Sequence, residues 1–178
     1  MNRTPATRIA LIAFAAAMLL APAALAAVIK GTDKENVLRG TPASDTMDGR
    51  GLNDTLFGYG GDDILRGGPG GDLIYGGKGE DAVRGGPDID DLRGGPDDDS
   101  IVGGKFDDSL KGNVGDDTLD GSDGLDLMVG GPGDDVLYGG FDGIPDRLNG
   151  GDGDDVCFVR MKDTAINCET ISHATPDV

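Results

Sequence analysis

The chain has 178 residues and a formal charge of −18, with 33 Asp and Glu against 15 Lys and Arg. That balance argues against nucleic acid or an anionic membrane surface as a partner, because both would repel it. Gly and Pro supply 33 and 9 residues, a level that marks a disordered chain unless an internal period organises it. Of the acids only Glu35, Glu80 and Glu169 are Glu; the rest are Asp. A short carboxylate on a glycine-rich loop reaches a cation that the loop's own carbonyls also reach, so this bias points to a hard metal ion.

Residues Met1 to Ala26 have the three-part layout of a secretory signal peptide: Arg3 and Arg8, an apolar run from Ile9 to Leu20, then Ala24-Leu25-Ala26. An apolar core of about a dozen residues is short against the roughly 20 that span a bilayer, so no transmembrane anchor is expected after cleavage. Arg3 and Arg8 are not adjacent, which favours the general secretory route over the twin-arginine one. Cleavage after Ala26 leaves 152 of the 178 residues and moves the charge from −18 to −20, because the lost segment carries two Arg and no acid. The expected organisation is a signal peptide over 1–26, a repeat domain over 27–158, and a C-terminal cap and tail over 159–178, with a secreted, extracellular product.

From Gly31 the chain falls into blocks of nine, beginning GTDKENVLR, GTPASDTMD, GRGLNDTLF and GYGGDDILR, and twelve such blocks reach Tyr138 without a register slip. An eleven-residue block, GGFDGIPDRLN, and a last nonamer, GGDGDDVCF, end at Phe158. Every block starts with Gly, carries Asp at its sixth position (Asn36 in the first block, Asp146 displaced by the insertion), and places an aliphatic residue or Cys157 two positions later. Gly at the first position, and often at the second and fourth, allows φ > 0 and close approach of carbonyls to an ion. The last three residues make a minimal strand whose middle side chain points inward. One unit cannot bury its single aliphatic residue alone, so units must stack. Two units make a coil of 18 residues, and coils pair their strands in parallel. The fourteen units predict an all-β fold, a parallel β-roll of about seven two-repeat coils, roughly 34 Å long. Val28-Ile29-Lys30 reads as the strand of a degenerate earlier unit.

These blocks resemble the haemolysin-type calcium-binding repeat, the RTX nonapeptide Gly-Gly-x-Gly-x-Asp-x-(aliphatic)-x. The resemblance covers Gly31 to Phe158. It implies calcium ions held between loops on one edge of the roll, each shared by unit n and unit n+2 and bound by the sixth-position carboxylates and backbone carbonyls. On this chain the implied ligands are Asp45, Asp54, Asp63, Asp72, Asp81, Asp90, Asp99, Asp108, Asp117, Asp126, Asp135, Asp146 and Asp155, with neutral Asn36 a weaker member. Fourteen units allow at most about twelve such sandwiched ions, best formed where good loops face each other, as at Asp63 and Asp81, Asp117 and Asp135, or Asp135 and Asp155. Ala43, Leu52, Asp88, Asp97 and Phe106 replace the fourth-position Gly, which leaves the loop shape and ion occupancy of those units open.

Beyond the repeats the tail is no longer glycine-rich. Cys157 and Cys168 are the only cysteines, and an exported chain with an even count favours a disulfide between them. Ile166 falls nine residues after Cys157 and is expected to sit on one degenerate last rung. Arg39, Arg66, Arg84, Arg93 and Lys111 share the ninth position and read as outward charges that blunt aggregation rather than as a ligand-binding stripe. Catalysis is not expected: His173 is the sole histidine, the Asp pairs recur in register rather than marking one site, and no loop has the twelfth-position Glu of an EF-hand. The chain thus reads as a secreted calcium-binding repeat protein, not an enzyme, that folds on binding several ions and serves a structural or interaction role. A cell-surface adhesin or carbohydrate-binding module with an extracellular protein or glycan partner is the alternative, and an enzyme accessory module a third.

Overall fold

The computed structural model describes residues 25–173. Residues 1–24, and with them nearly all of the expected signal peptide, lie outside the described residues, as do residues 174–178. The repeat blocks wind into a solenoid of two wholly parallel sheets. One sheet has nine strands in the order β1 (Val28–Lys30), β3 (Thr46–Asp48), β5 (Ile64–Arg66), β7 (Ala82–Pro87), β9 (Ser100–Lys105), β11 (Thr118–Asp123), β13 (Val136–Tyr138), β15 (Val156–Val159) and β17 (Thr170–His173). The other has eight: β2 (Val37–Arg39), β4 (Thr55–Gly60), β6 (Leu73–Lys78), β8 (Asp91–Pro96), β10 (Ser109–Val114), β12 (Leu127–Pro132), β14 (Arg147–Asp152) and β16 (Thr164–Ile166). Consecutive strands alternate between sheets, so each coil contributes one strand to each, which is the parallel β-roll the nine-residue period predicts.

Register follows the period. Leu56 pairs with Ile74 and Ile74 with Leu92, each 18 residues on. The inward residue of each strand stacks on its counterpart one coil away. Met47, Leu65, Ile101, Leu119 and Leu137 line one wall of the core and Leu56, Ile74, Leu92, Leu110 and Met128 the other, all fully buried. Burying one such side chain contributes about 1.5–3 kcal/mol. A single nonamer brings only one, and that is why isolated units have no fold of their own.

Both ends extend beyond the fourteen units. Val28-Ile29-Lys30 forms β1 and pairs in register with Thr46–Asp48, as the degenerate-unit reading expects. The tail makes a whole extra coil. Its β16 sets Ala165, not Ile166, against Leu148; Ile166 faces outward opposite Asn149 and is exposed. The tail is shorter than a pair of nonamers, so the inward position shifts by one residue, and the small Ala165 packs on the core end. Cys157 and Cys168 are bonded, with Cα atoms 5.9 Å apart, and the bond ties this last coil to the core. The two inserted residues of the eleven-residue block stay in the loop, since Met128 still pairs with Leu148.

The ninth-position side chains divide between the two outer faces. On the eight-stranded sheet Arg39, Phe57, Tyr75 and Arg93 occupy successive rungs. The rings of Phe57 and Tyr75 stack at 5.2 Å, and each guanidinium lies over its neighbouring ring, at 5.5 Å for Arg39 and 5.0 Å for Arg93. Arg66 and Arg84 project from the nine-stranded sheet instead.

Core energetics give a direct test. Leu92→Ala in the calcium-loaded roll is expected to cost about 2–5 kcal/mol in urea unfolding. Val37→Ala, at an exposed end strand, is expected to cost less than about 0.5 kcal/mol.

Candidate metal-binding site

The loops carry the sixth-position acids along the roll in two lines. One begins at Asn36 and continues through Asp54, Asp72, Asp90, Asp108, Asp126 and Asp146, each at the start of a strand of the eight-stranded sheet; the other runs from Asp45 through Asp63, Asp81, Asp99, Asp117 and Asp135 to Asp155. All thirteen Asp side chains are at most 3 % exposed. Burial of a carboxylate in such numbers requires specific partners.

Half of each carboxylate has one. The Oδ1 of Asp63 accepts the backbone N–H of Asp45 (2.6 Å), that of Asp81 accepts the N–H of Asp63 (2.8 Å), and that of Asp99 accepts the N–H of Asp81 (2.8 Å). The other line repeats the bond, from Asp54 N–H to Asp72 (2.7 Å) through Asp126 N–H to Asp146 (2.9 Å). Each sixth-position side chain therefore reaches back one coil and joins unit n to unit n+2.

The second oxygen has no partner. In Asp54, Asp63, Asp72, Asp81, Asp90, Asp99, Asp108, Asp117, Asp126, Asp135 and Asp155 the Oδ2 is buried and accepts no hydrogen bond. It lies against the first glycine of its own unit. A Cβ on Gly103 would sit 2.5 Å from Asp108 Oδ2 and 2.8 Å from the Gly121 carbonyl oxygen. The invariant first glycine thus serves close approach, whereas the left-handed backbone conformation expected of it is found at the second and fourth positions. There it persists without glycine, at Leu52 (φ 63°), Asp88 (85°), Asp97 (82°) and Phe106 (73°), at a cost of about 1–2 kcal/mol each. Four of the five replaced units therefore keep the turn. Asp88 and Asp97 also gain a contact, accepting the N–H of Gly70 and Gly79 at 3.1 Å.

Asp45 and Asp146 differ from the rest. Asp45 Oδ2 accepts the Thr41 N–H, so both of its oxygens have protein donors. Asp146 donates its N–H to Asp163, and Asp155 donates its own to Glu169, at 3.1 and 2.8 Å. Asp163 and Glu169 continue the two lines by one coil into the tail. Sequence reading missed them because the spacings there, 17 and 14 residues, break the eighteen-residue rule.

The fifth-position acids form a separate, exposed ladder of opposite sense: Asp116 accepts from Asp134 N–H and Asp134 from Asp154 N–H. In the pairs Asp98–Asp99, Asp107–Asp108, Asp116–Asp117 and Asp134–Asp135 the first carboxylate reaches forward a coil and its neighbour reaches back.

Burial raises the carboxyls from Asp54 to Asp155 along both lines, and neighbouring acids add to the shift while the donated N–H opposes it. The rise reaches about 8 at Asp99 and Asp108, about 7 at Asp81 and Asp90, and about 6 at Asp63 and Asp135. Without a cation the folded roll holds protons that an unfolded chain, with Asp near 3.9, has released. Its stability is then fully present below about pH 4 and is lost as pH rises through about 6 to 8.

A hard divalent cation fits these loops chemically. In eleven units it would meet a carboxylate oxygen that has no other partner, and at several of them, as at Gly58, Gly76 and Gly103, a glycine carbonyl of the next coil lies close by. Among the described residues no three His, Cys, Asp or Glu side chains converge into a ready metal cluster, so such an ion must take further oxygens from the backbone, as calcium readily does.

Comparison with known families agrees with this geometry. The model of the RTX calcium-binding nonapeptide repeat (4 copies) matches residues 26–56, 57–92, 93–128, 120–142 and 145–159. A search of curated proteins found no match. With more than half of its length matched, the chain belongs to the RTX calcium-binding nonapeptide repeat family and is a calcium-binding repeat protein.

Proposed function

We propose that this protein is exported through the general secretory route, folds outside the cell by binding calcium along both loop lines, and then serves as a structural or interaction module without catalytic activity. The observation that carries this reading is the row of buried sixth-position carboxylates, eleven of which, from Asp54 to Asp155 with Asp146 excepted, have one oxygen left without a partner. Asp45 to Asp155 would hold the ions together with loop carbonyls, and the nonapeptide units set a ceiling of about twelve. Asp163 and Glu169 extend that capacity into the tail. Calcium supplies the positive charge that the interior lacks. A chain of charge −20 after cleavage repels itself, and twelve divalent ions bring +24, enough to cancel it. Binding free energy then becomes folding free energy. Extracellular modules bind calcium at about 0.1 to 1 mM, so such a chain stays unfolded where calcium is scarce and folds where it is abundant.

Residues 27–178, freed of calcium and titrated with it, are expected to gain β signal cooperatively in far-UV circular dichroism, with magnesium ineffective. A spectrum already β-rich in chelator at neutral pH, or unmoved by calcium, contradicts the reading. Proton and calcium should also substitute for one another. In chelator the β signal is expected to rise as pH falls from 8 to 4, the window set by the raised carboxyls, and saturating calcium should flatten that dependence. Asp99→Asn separates the two roles: it is expected to weaken calcium binding about tenfold at the affected loops while making the calcium-free roll more stable, because it removes a buried charge.

A further inference from the structure

A groove of about 780 Å³ runs along the roll axis beside the loops that carry Asp54, Asp72, Asp90 and Asp108. The described residues hold 13 Lys and Arg, the 15 of the chain less Arg3 and Arg8. Four of them, Arg50, Arg66, Arg84 and Lys105, line this one groove. All four are exposed, and they come one per coil from four consecutive rungs: after β3, at the end of β5, within β7 and at the end of β9. The strand spacing sets them about 4.8 Å apart along the axis, a span of about 14 Å. None is neutralised, since the one ion pair among the described residues joins Arg93 to Asp91 on the other sheet. Two carboxylates, Asp48 opposite Arg66 and Asp123 opposite Lys105, also line it, so cations outnumber acids by four to two. In a chain this acidic, that local excess of positive charge makes the groove a place where the field favours an anion.

We propose that the groove binds a linear anionic polysaccharide bearing one carboxylate per sugar ring, laid along the roll axis. One cation per rung matches a polymer with one charge per repeat, because a sugar ring is about as long as the strand spacing. The guanidinium forks of Arg66 and Arg84, adjacent in register, each take a carboxylate in a paired hydrogen bond. Pro69, Pro87 and the neighbouring glycines also line the groove and leave exposed backbone toward which a ring can turn its hydroxyls. Nucleic acid fits less well. No aromatic side chain lines the groove to stack a base, and the closely spaced phosphates of a nucleic acid would meet the acidic surface around it.

The proposal needs the folded roll but no particular number of calcium ions. The test therefore uses residues 27–178 in millimolar calcium, with circular dichroism confirming the fold of each sample. Calorimetric titration with galacturonate oligomers of two to six rings is expected to show affinity that rises to about four rings, then levels, and that weakens with salt. R66Q and R84Q are each expected to weaken binding roughly fivefold, and R93Q, outside the groove, to leave it unchanged. Binding of neutral oligosaccharides or oligothymidylate with equal strength, binding indifferent to R66Q and R84Q in the folded protein, or no binding at all overturns the proposal.

Discussion

Each coil of this roll places a carboxylate inside a loop line, and the next coil places another about one strand spacing away. Two such charges at about 4.8 Å repel by roughly 3 kcal/mol at an effective dielectric constant of about 20. The carboxylates cannot swing out to water, because each is pinned by the amide of the preceding coil, as Asp63 is by Asp45 and Asp117 by Asp99. The same bond that holds coil to coil thus fixes the charge that drives coils apart. Much else in the structure is arranged around that conflict. The first glycine of every unit leaves room for the carboxylate, the second and fourth positions turn the backbone left-handed, and the strands that follow are short because the loops take most of each nonamer.

The core alone is a thin counterweight. It is one aliphatic residue wide on each wall, a double ladder in which Ile74 stacks on Leu56 and Leu92 and the two walls close on one another as a single cluster. Small contact order within a coil and identical contacts between coils make stability additive along the axis. A ligand that couples unit n to unit n+2 acts at each interface of such a stack. The tail closes the C-terminal end differently, with a disulfide from Cys157 to Cys168 and with Asp163 and Glu169 taking over as acceptors. At the opposite end Val28 and Val37 remain exposed.

Most of the fold was legible because the period is strict. Gly at the first position, Asp at the sixth and an aliphatic at the eighth specified parallel coils, the inward face and the buried carboxylates, and Leu56, Ile74 and Leu92 sit where that pattern sets them. Legibility failed where geometry outlives the motif. Leu52 and Phe106 hold a left-handed turn without glycine because the coils on either side impose it. Ala165 takes the inward place expected of Ile166 because the tail coil is shorter. The groove of Arg50, Arg66, Arg84 and Lys105 joins residues from the ninth, second and third positions, so no single column of the repeat displays it.

If the buried carboxylates tolerate their positions only when a cation satisfies their free oxygens, the bonds they accept must open when the cation is withdrawn. Hydrogen exchange at the amides of Asp63, Asp81, Asp99 and Asp117, measured at neutral pH with and without calcium, tests it at the bonds concerned. Exchange is expected to be slow at all four in calcium and rapid, without protection, at all four in chelator. Protection that persists in chelator would show that the coils hold together with the carboxylates uncompensated, and would contradict it.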